Sequence, residues 1–266
     1  MLSLSEKVKF IATGNLFRAL LLEKQILLDV TPEFNSLVRF YNDYVYLNIE
    51  FTAPPFFGIS DDTAGNKQYL GPFRNRFFLH DFLATMADLW RYPLCPDGNY
   101  PCSRYKSKTC RGFCLENRKD FFHIVEYSYL QENKELLQKL HNQRRRLFDD
   151  LQFDRAELLQ KQIEVIERYY RMIFFLHIAK NLDMEYSDSE GEYSIHRGII
   201  TWISVGGKDM EFPCPAPSYR DNEYLAIDKS CLDEMWIVFE YLLPTQGDFF
   251  AKIYLNSRNR LLKLFS

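Results

Sequence analysis

This sequence has no stretch apolar for long enough to cross a membrane. Its longer apolar runs, such as Met172 to Ile178, fall far short of the roughly 20 residues a spanning helix needs. It opens Met1-Leu2-Ser3-Leu4-Ser5-Glu6-Lys7, with no basic segment leading into an apolar core. No secretory leader is predicted, and a cytoplasmic protein without a membrane partner is expected. Neither sign of charge dominates: 33 Lys and Arg against 36 Asp and Glu leave a net charge of -3, unlike the strongly basic balance of many nucleic-acid-binding domains. Proline and glycine are missing between Phe113 and Gly191, which removes the usual helix breakers from that stretch. There is no internal repeat. His80, His123, His141, His177 and His196 are too scattered to suggest a metal site or a catalytic triad.

What is present points to ordered globular structure. Of 266 residues, 47% are hydrophobic and 16% aromatic, enough for one or two folded units. Residues 1–90 read as a mixed α/β unit. Val8 to Ala12 is a strand candidate, and Phe17 to Leu28, apolar nearly all round, a buried helix. Tyr44 to Phe51 is a β-branched and aromatic strand ended by Pro54-Pro55. Ser60 to Asn66 is a turn, and Phe77 to Trp90 a helix. Residues 91–130 hold a cysteine-rich loop. Residues 131–180 form an αα-hairpin, with Leu136, Leu137, Leu140 and Leu147 on one arm and Ala156, Leu159, Ile163 and Ile166 on the other, broken at Asp149-Asp150. Asp183 to Glu192, with five acidic and no basic residues, reads as a linker. Residues 193–266 read as a small α+β region: strands over Tyr193 to Ile203, a Gly206-Gly207 turn, a helix over Leu232 to Leu243 and a possible strand over Phe249 to Leu255. The class expected for the whole is α+β.

Four of the six cysteines fall within 20 residues, as Cys95-x6-Cys102-x7-Cys110-x3-Cys114. In a cytoplasmic protein such a group points away from disulfides. Four thiolates can close a tetrahedral shell around one zinc or hold one iron–sulfur cluster. The paired C-x2-C spacing common in zinc knuckles is missing, so the spacing leans toward a cluster. A polar loop this long has no other cross-link to organise it. Tyr100 to Lys119 also carries six basic residues, among them Arg104, Lys106, Lys108 and Arg111, against one acidic residue, Glu116. These either contact phosphates or form a solvated face. Cys214 and Cys231 stand alone and read as small buried hydrophobes.

Several segments, taken in order, resemble the UvrC family, the incision subunits of bacterial nucleotide excision repair. Phe10-Ile11-Ala12-Thr13 with Ala19-Leu20-Leu21-Leu22-Glu23 is similar to that family's ALLLE helix. Pro32-Glu33-Phe34-Asn35 resembles its P-x-Y-N turn. Tyr44 to Asn48 resembles its YPYI strand, with Val45 in place of proline, and Tyr69-Leu70-Gly71-Pro72-Phe73 resembles YFGPY. Pro101-Cys102-Ser103-Arg104-Tyr105 resembles PCLxY. Leu151-Gln152-Phe153-Asp154-Arg155-Ala156 resembles LxFExA, the core of the helical UVR motif. The similarity covers about residues 8–180.

The resemblance implies a truncated GIY-YIG endonuclease-like unit over residues 1–90, with Glu23 as a divalent-metal ligand for Mg2+ or Mn2+ and Asn35 as the family's asparagine. It implies that Cys95, Cys102, Cys110 and Cys114 hold a 4Fe-4S cluster, with zinc the alternative. It implies a hairpin that docks a UvrB-like protein through Phe148, Leu151, Phe153 and Ala156, with Arg144, Arg145 and Arg146 as a rim. DNA is the partner the resemblance implies; by their own charge Arg74 and Arg76, like Arg104, Lys106, Lys108 and Arg111, are candidates either for phosphate contact or for surface solvation. The sequence contains neither Gly-Ile-Tyr nor Tyr-Ile-Gly. One glutamate cannot supply metal shell, nucleophile activation and charge stabilisation together. Two functions are therefore expected to compete: a structure-specific DNA endonuclease, and a non-catalytic iron–sulfur scaffold that binds DNA or another repair subunit.

Overall fold

The computed structural model describes residues 7–30, 41–65, 67–95, 98–115, 118–189, 191–211 and 225–263. Among them the chain forms two four-stranded sheets joined by helices, so the expected α+β class is observed. The first sheet has the order β2-β1-β3-β8, from β1 (Val45–Ile49), β2 (Phe57–Ser60), β3 (Gln68–Phe73) and β8 (Leu225–Ala226). All five residues of β1 are buried, which suits a central strand covered on both faces. Leu47 is opposed by Ile59 on one side and Leu70 on the other. β8 joins in parallel, Leu70 to Leu225, and so ties the last part of the chain to the first sheet.

Helix α1 (Leu16–Val30) forms where expected, but it is not buried all round. Phe17 and Leu21 are buried, while Leu16, Leu20 and Ile26 face water. One face alone finds a partner, with Phe17 stacked at 4.1 Å on Tyr241 of the last helix, α7 (Leu232–Leu262). The strand expected over Val8 to Ala12 is absent. Val8, Phe10 and Ile11 are exposed and no strand of either sheet pairs with them. A strand exists only through a neighbour's hydrogen bonds, so β propensity alone does not make one. Helix α2 (Arg76–Trp90) starts at Asn75, whose side-chain oxygen accepts the N–H groups of Phe77 and Phe78. Its buried face, including Leu79, Phe82 and Met86, belongs to the main hydrophobic core, with Phe82 stacked on Tyr169.

After the cysteine loop come α4 (Arg118–Ser128), α5 (Lys134–Asp149) and α6 (Phe153–Ala179). The hairpin breaks where the paired aspartates suggest, and Leu151 turns the corner at φ +60°. Tyr169 of α6 sits at the centre of the core. Its ring stacks on Phe82 at 3.6 Å, and its hydroxyl donates to the Tyr129 carbonyl at 3.0 Å.

The acidic stretch after the hairpin is a strand pair rather than a linker. β4 (Met184–Asp188) and β5 (Gly191–His196) pair in antiparallel register, followed by β6 (Ile199–Val205) and β7 (Lys208–Glu211). The acids shape its turns: Asp188 Oδ1 accepts the Gly191 N–H at 3.0 Å and Asp183 Oδ1 the Arg197 N–H at 2.8 Å. Local charge suggested a solvated linker, while residues alternating across the sheet supplied the strand. The strand proposed for Phe249 to Leu255 is also corrected. It lies within α7 (Leu232–Leu262), which passes Pro244 with a single non-helical residue, Gln246. Phe250 is then fully buried against Phe239. Pro and Gly here kink the helix instead of ending it. One continuous hydrophobic core runs from Phe17 through Tyr169 to Leu261.

Candidate functional site

The cysteine loop is fastened at several points. Helix α2 ends at Arg91 in the left-handed conformation, and the Arg91 carbonyl accepts the Arg111 N–H at 3.3 Å, closing the loop's two ends. Cys102 is buried and starts a single helical turn, α3 (Ser103–Lys106). The Arg104 guanidinium donates to the carbonyls of Ala87 at 3.1 Å and Thr109 at 3.0 Å. Its own carbonyl accepts the N–H groups of Thr109 and Cys110. Arg104 is thereby built into the loop. Gly112 has φ +82°, and a Cβ there would meet the Tyr105 ring at 2.6 and 2.8 Å, so only glycine fits this corner.

Cys95, Cys102, Cys110 and Cys114 converge on this framework, Cys102 buried and the others half-buried. Burial pushes the Cys95 thiol up to about 11. The Phe56 N–H opposes that rise, and the nearby sulfurs of Cys102, Cys110 and Cys114 add to it. Cys114 is raised by burial too, with Cys102 and Cys110 contributing. The Gly112 N–H donates to Cys110 Sγ at 3.5 Å. The thiols are thus near enough to resist one another's ionisation. Yet among the described residues no three His, Cys, Asp or Glu side chains gather closely enough to hold a single metal ion. The two facts describe different separations, electrostatic reach and ligand contact, and both hold. By donor chemistry the set suits a positively charged centre, since a metal ion offsets the burial that raises the Cys95 and Cys114 thiols.

The other expected site residues fall in separate places. Lys106, Lys108 and Arg111 are exposed on the cysteine loop. Arg76 pairs with Asp61 at 2.5 Å, and Arg74 with Asp233 at 2.7 Å, on the far side of α2's first turn. Glu23 is on the exposed face of α1. Asn35 and Cys214 lie outside the described residues. Cys231 is buried, as a small hydrophobe would be.

The hairpin tip carries an apolar cluster in water. Phe148, Leu151 and Phe153 are 60%, 75% and 52% exposed, and the two phenyl rings meet edge to face at 5.2 Å. Ala156, expected on the same face, is 6% exposed and packs inside the hairpin. Arg144, Arg145 and Arg146 are exposed beside the tip.

One concave site escaped the sequence reading. A cleft of about 360 Å³ opens between the end of β3, α2, α6 and α7, lined by Arg74, Phe78, Arg168, Arg171, Trp236 and Glu240 among others. Its residues run from Phe73 to Glu240 in sequence, and only tertiary packing joins them. The one local signal is Arg168 and Arg171, three apart and therefore on one face of α6.

Residues 44–125 match the family model described as the middle domain of UvrC/Cho excinucleases. The matched stretch contains β1 to β3, α2 and the whole cysteine loop. The UvrABC system protein C of Cronobacter sakazakii is 26% identical over 178 residues, 62% of this chain and 29% of that protein. That of Methanococcus maripaludis is 26% identical over 168 residues, 61% of this chain and 32% of its own length. For Rickettsia bellii the figures are 22% over 231 residues, 82% and 36%. The chain spans about a third of the length of these curated relatives. No solved structure matches it significantly. Among the described residues no helix is long and apolar enough to cross a membrane.

Proposed function

We propose that this chain, which resembles UvrC-type proteins in sequence, serves nucleotide excision repair as a binding unit: an iron–sulfur loop on DNA beside a helical hairpin that docks a UvrB-like partner. The observation that carries this reading is the hairpin tip. Phe148, Leu151 and Phe153 stand exposed together at the end of a two-helix arm, and clustered exposed aromatics mark surfaces that another protein covers. Arg144 to Arg146 would form the polar rim, and Ala156 holds the arm together from inside.

Cys95, Cys102, Cys110 and Cys114 would hold the cluster. When bound it would cross-link the loop and neutralise the thiolates. In a zinc shell with Zn–S near 2.3 Å the sulfurs lie about 3.8 Å apart. The cluster is preferred over zinc on the cysteine spacing, which lacks the paired C-x2-C of zinc knuckles. Lys106, Lys108 and Arg111 are placed to meet phosphates, while Arg104 is engaged within the loop.

A GIY-YIG-like identity rests on α1 and the residues before Tyr44, since the middle-domain match starts there. Glu23, on the exposed face of α1, would offer a hard cation such as Mg2+ or Mn2+ one carboxylate, while the exposed hairpin tip supports the binding reading. The test is fluorescence anisotropy between this chain and a UvrB-like protein carrying its own helical hairpin. Wild type should bind, and Phe153→Ser should bind at least tenfold more weakly with unchanged circular dichroism. Absence of wild-type binding, or equal binding by the variant, ends the docking reading. Magnesium-dependent DNA nicking that Glu23→Ala abolishes would replace the binding unit with a nuclease.

A further inference from the structure

The cleft between α2, α6 and α7 has the composition of a nucleotide site. Three guanidinium groups line it, and two are fixed in place. Arg74 is held by Asp233, with its Nε donating to Oδ1 at 2.9 Å. Arg171 Nη2 donates to both carboxylate oxygens of Glu240, at 2.6 and 2.8 Å. Both lie within 6 Å of the Trp236 ring centre, at 5.7 and 5.8 Å. Arg168 differs. Its guanidinium lies over the Phe78 ring at 4.6 Å, and no carboxylate among the described residues pairs with it. The cleft therefore holds one uncompensated cation on an aromatic platform, beside an indole framed by two neutralised arginines.

A phosphate alone would use only the cation, and an apolar ligand would leave Arg168 without a counter-charge. A nucleotide uses both: its base stacks on ring or guanidinium planes while its phosphate takes a planar donor fork. The volume of about 360 Å³ falls within the range of small-ligand clefts, about 300–1,000 Å³. We infer that this cleft binds one nucleotide, its base packed along the Trp236–Arg171 wall and its phosphate on Arg168. The nucleotide is either free or part of a single strand. The strand case rests on the repair reading above, whereas the free nucleotide does not.

The experiment titrates the full chain with deoxythymidine monophosphate in one arm and with a labelled oligothymidylate in the other, following tryptophan fluorescence and anisotropy. Quenching by either ligand is expected, and tighter binding of the oligomer would assign the site to a strand. Arg168→Ala, an exposed change that leaves the core intact, should weaken binding at least fivefold. Trp236→Phe should remove most of the quenching. Phe153→Ser at the hairpin tip should leave nucleotide binding unchanged. If neither ligand binds, or Arg168→Ala binds as wild type does, the nucleotide site is refuted, while partner docking through the hairpin stands or falls by its own assay.

Discussion

Lys24 of α1 and Glu234 of α7, 210 residues apart, meet at 3.3 Å with side chains only 15% and 6% exposed. The other Glu234 oxygen accepts the Ile200 N–H of β6 at 3.1 Å. One buried carboxylate thus joins the first helix, the last helix and the second sheet. A buried pair adds little over an apolar substitute, but losing one partner strands the other. Glu234→Ala should destabilise the protein by about 3 kcal/mol, because Lys24 and the Ile200 N–H both lose their acceptor. Glu234→Gln keeps an acceptor for Ile200 and should lose less. Urea unfolding of the two variants checks the order; equal losses would show that the charge pair with Lys24 carries the whole effect and the Ile200 hydrogen bond none.

His177 predicts acid sensitivity. Its ring is fully buried between Ser257 Oγ at 2.9 Å and the Leu130 carbonyl at 2.8 Å. Burial lowers its pKa from 6.5 to about 4, against the pull of the Leu130 carbonyl and with help from Arg258. Above pH 6.5 neither folded nor unfolded chain holds the proton, and the contribution is complete. Below 6.5 the unfolded chain takes up a proton the fold refuses, so stability falls until about pH 4, by about 3 kcal/mol in all. Denaturation measured from pH 7 to 4.5 should show this slope, and His177→Gln should flatten it by about 2 kcal/mol. An unchanged slope in the variant would assign the acid loss to other groups.

Elements that carry their own pattern were legible from sequence. The hairpin's buried rows, Leu136, Leu137 and Leu140 against Ala156, Leu159 and Ile163, follow helical spacing and pack as expected. Asn75 and Asn133 cap α2 and α5 by local chemistry. The misses share one cause, dependence on distant partners. β2 and β3 became strands only by pairing with β1. Val8 to Ala12 had strand composition and no partner, and the acidic residues of β4 had linker composition and found one. The site divides the same way. The cysteines were visible because four ligands of one type crowd one loop, while the Arg168–Trp236 cleft was hidden because its parts lie on separate elements.

The cysteine loop makes a prediction through a residue that is not a ligand. Gly112 turns the chain between Cys110 and Cys114, with the Tyr105 ring where a Cβ would go. Gly112→Ala must displace the ring or the loop, and with it the last two sulfurs. Anaerobically purified wild type should be brown and carry about four iron atoms per chain. Gly112→Ala should hold less iron, and the double variant Gly112→Ala with Tyr105→Ala should recover part of it. A colourless wild type containing one zinc would reassign the centre.

Leu151 sets local stability against docking. It occupies the hairpin corner at φ +60°, where a branched side chain is strained and glycine is not. It is also 75% exposed, so its side chain contributes little packing to the free chain. Leu151→Gly should therefore stabilise the isolated protein by about 1 kcal/mol, seen as a rise of a few degrees in Tm. If the tip covers a UvrB-like partner, the same change removes a central apolar group and should weaken that complex several-fold. Stabilisation without loss of partner binding would separate the strain from the docking and leave Phe148 and Phe153 as the contact.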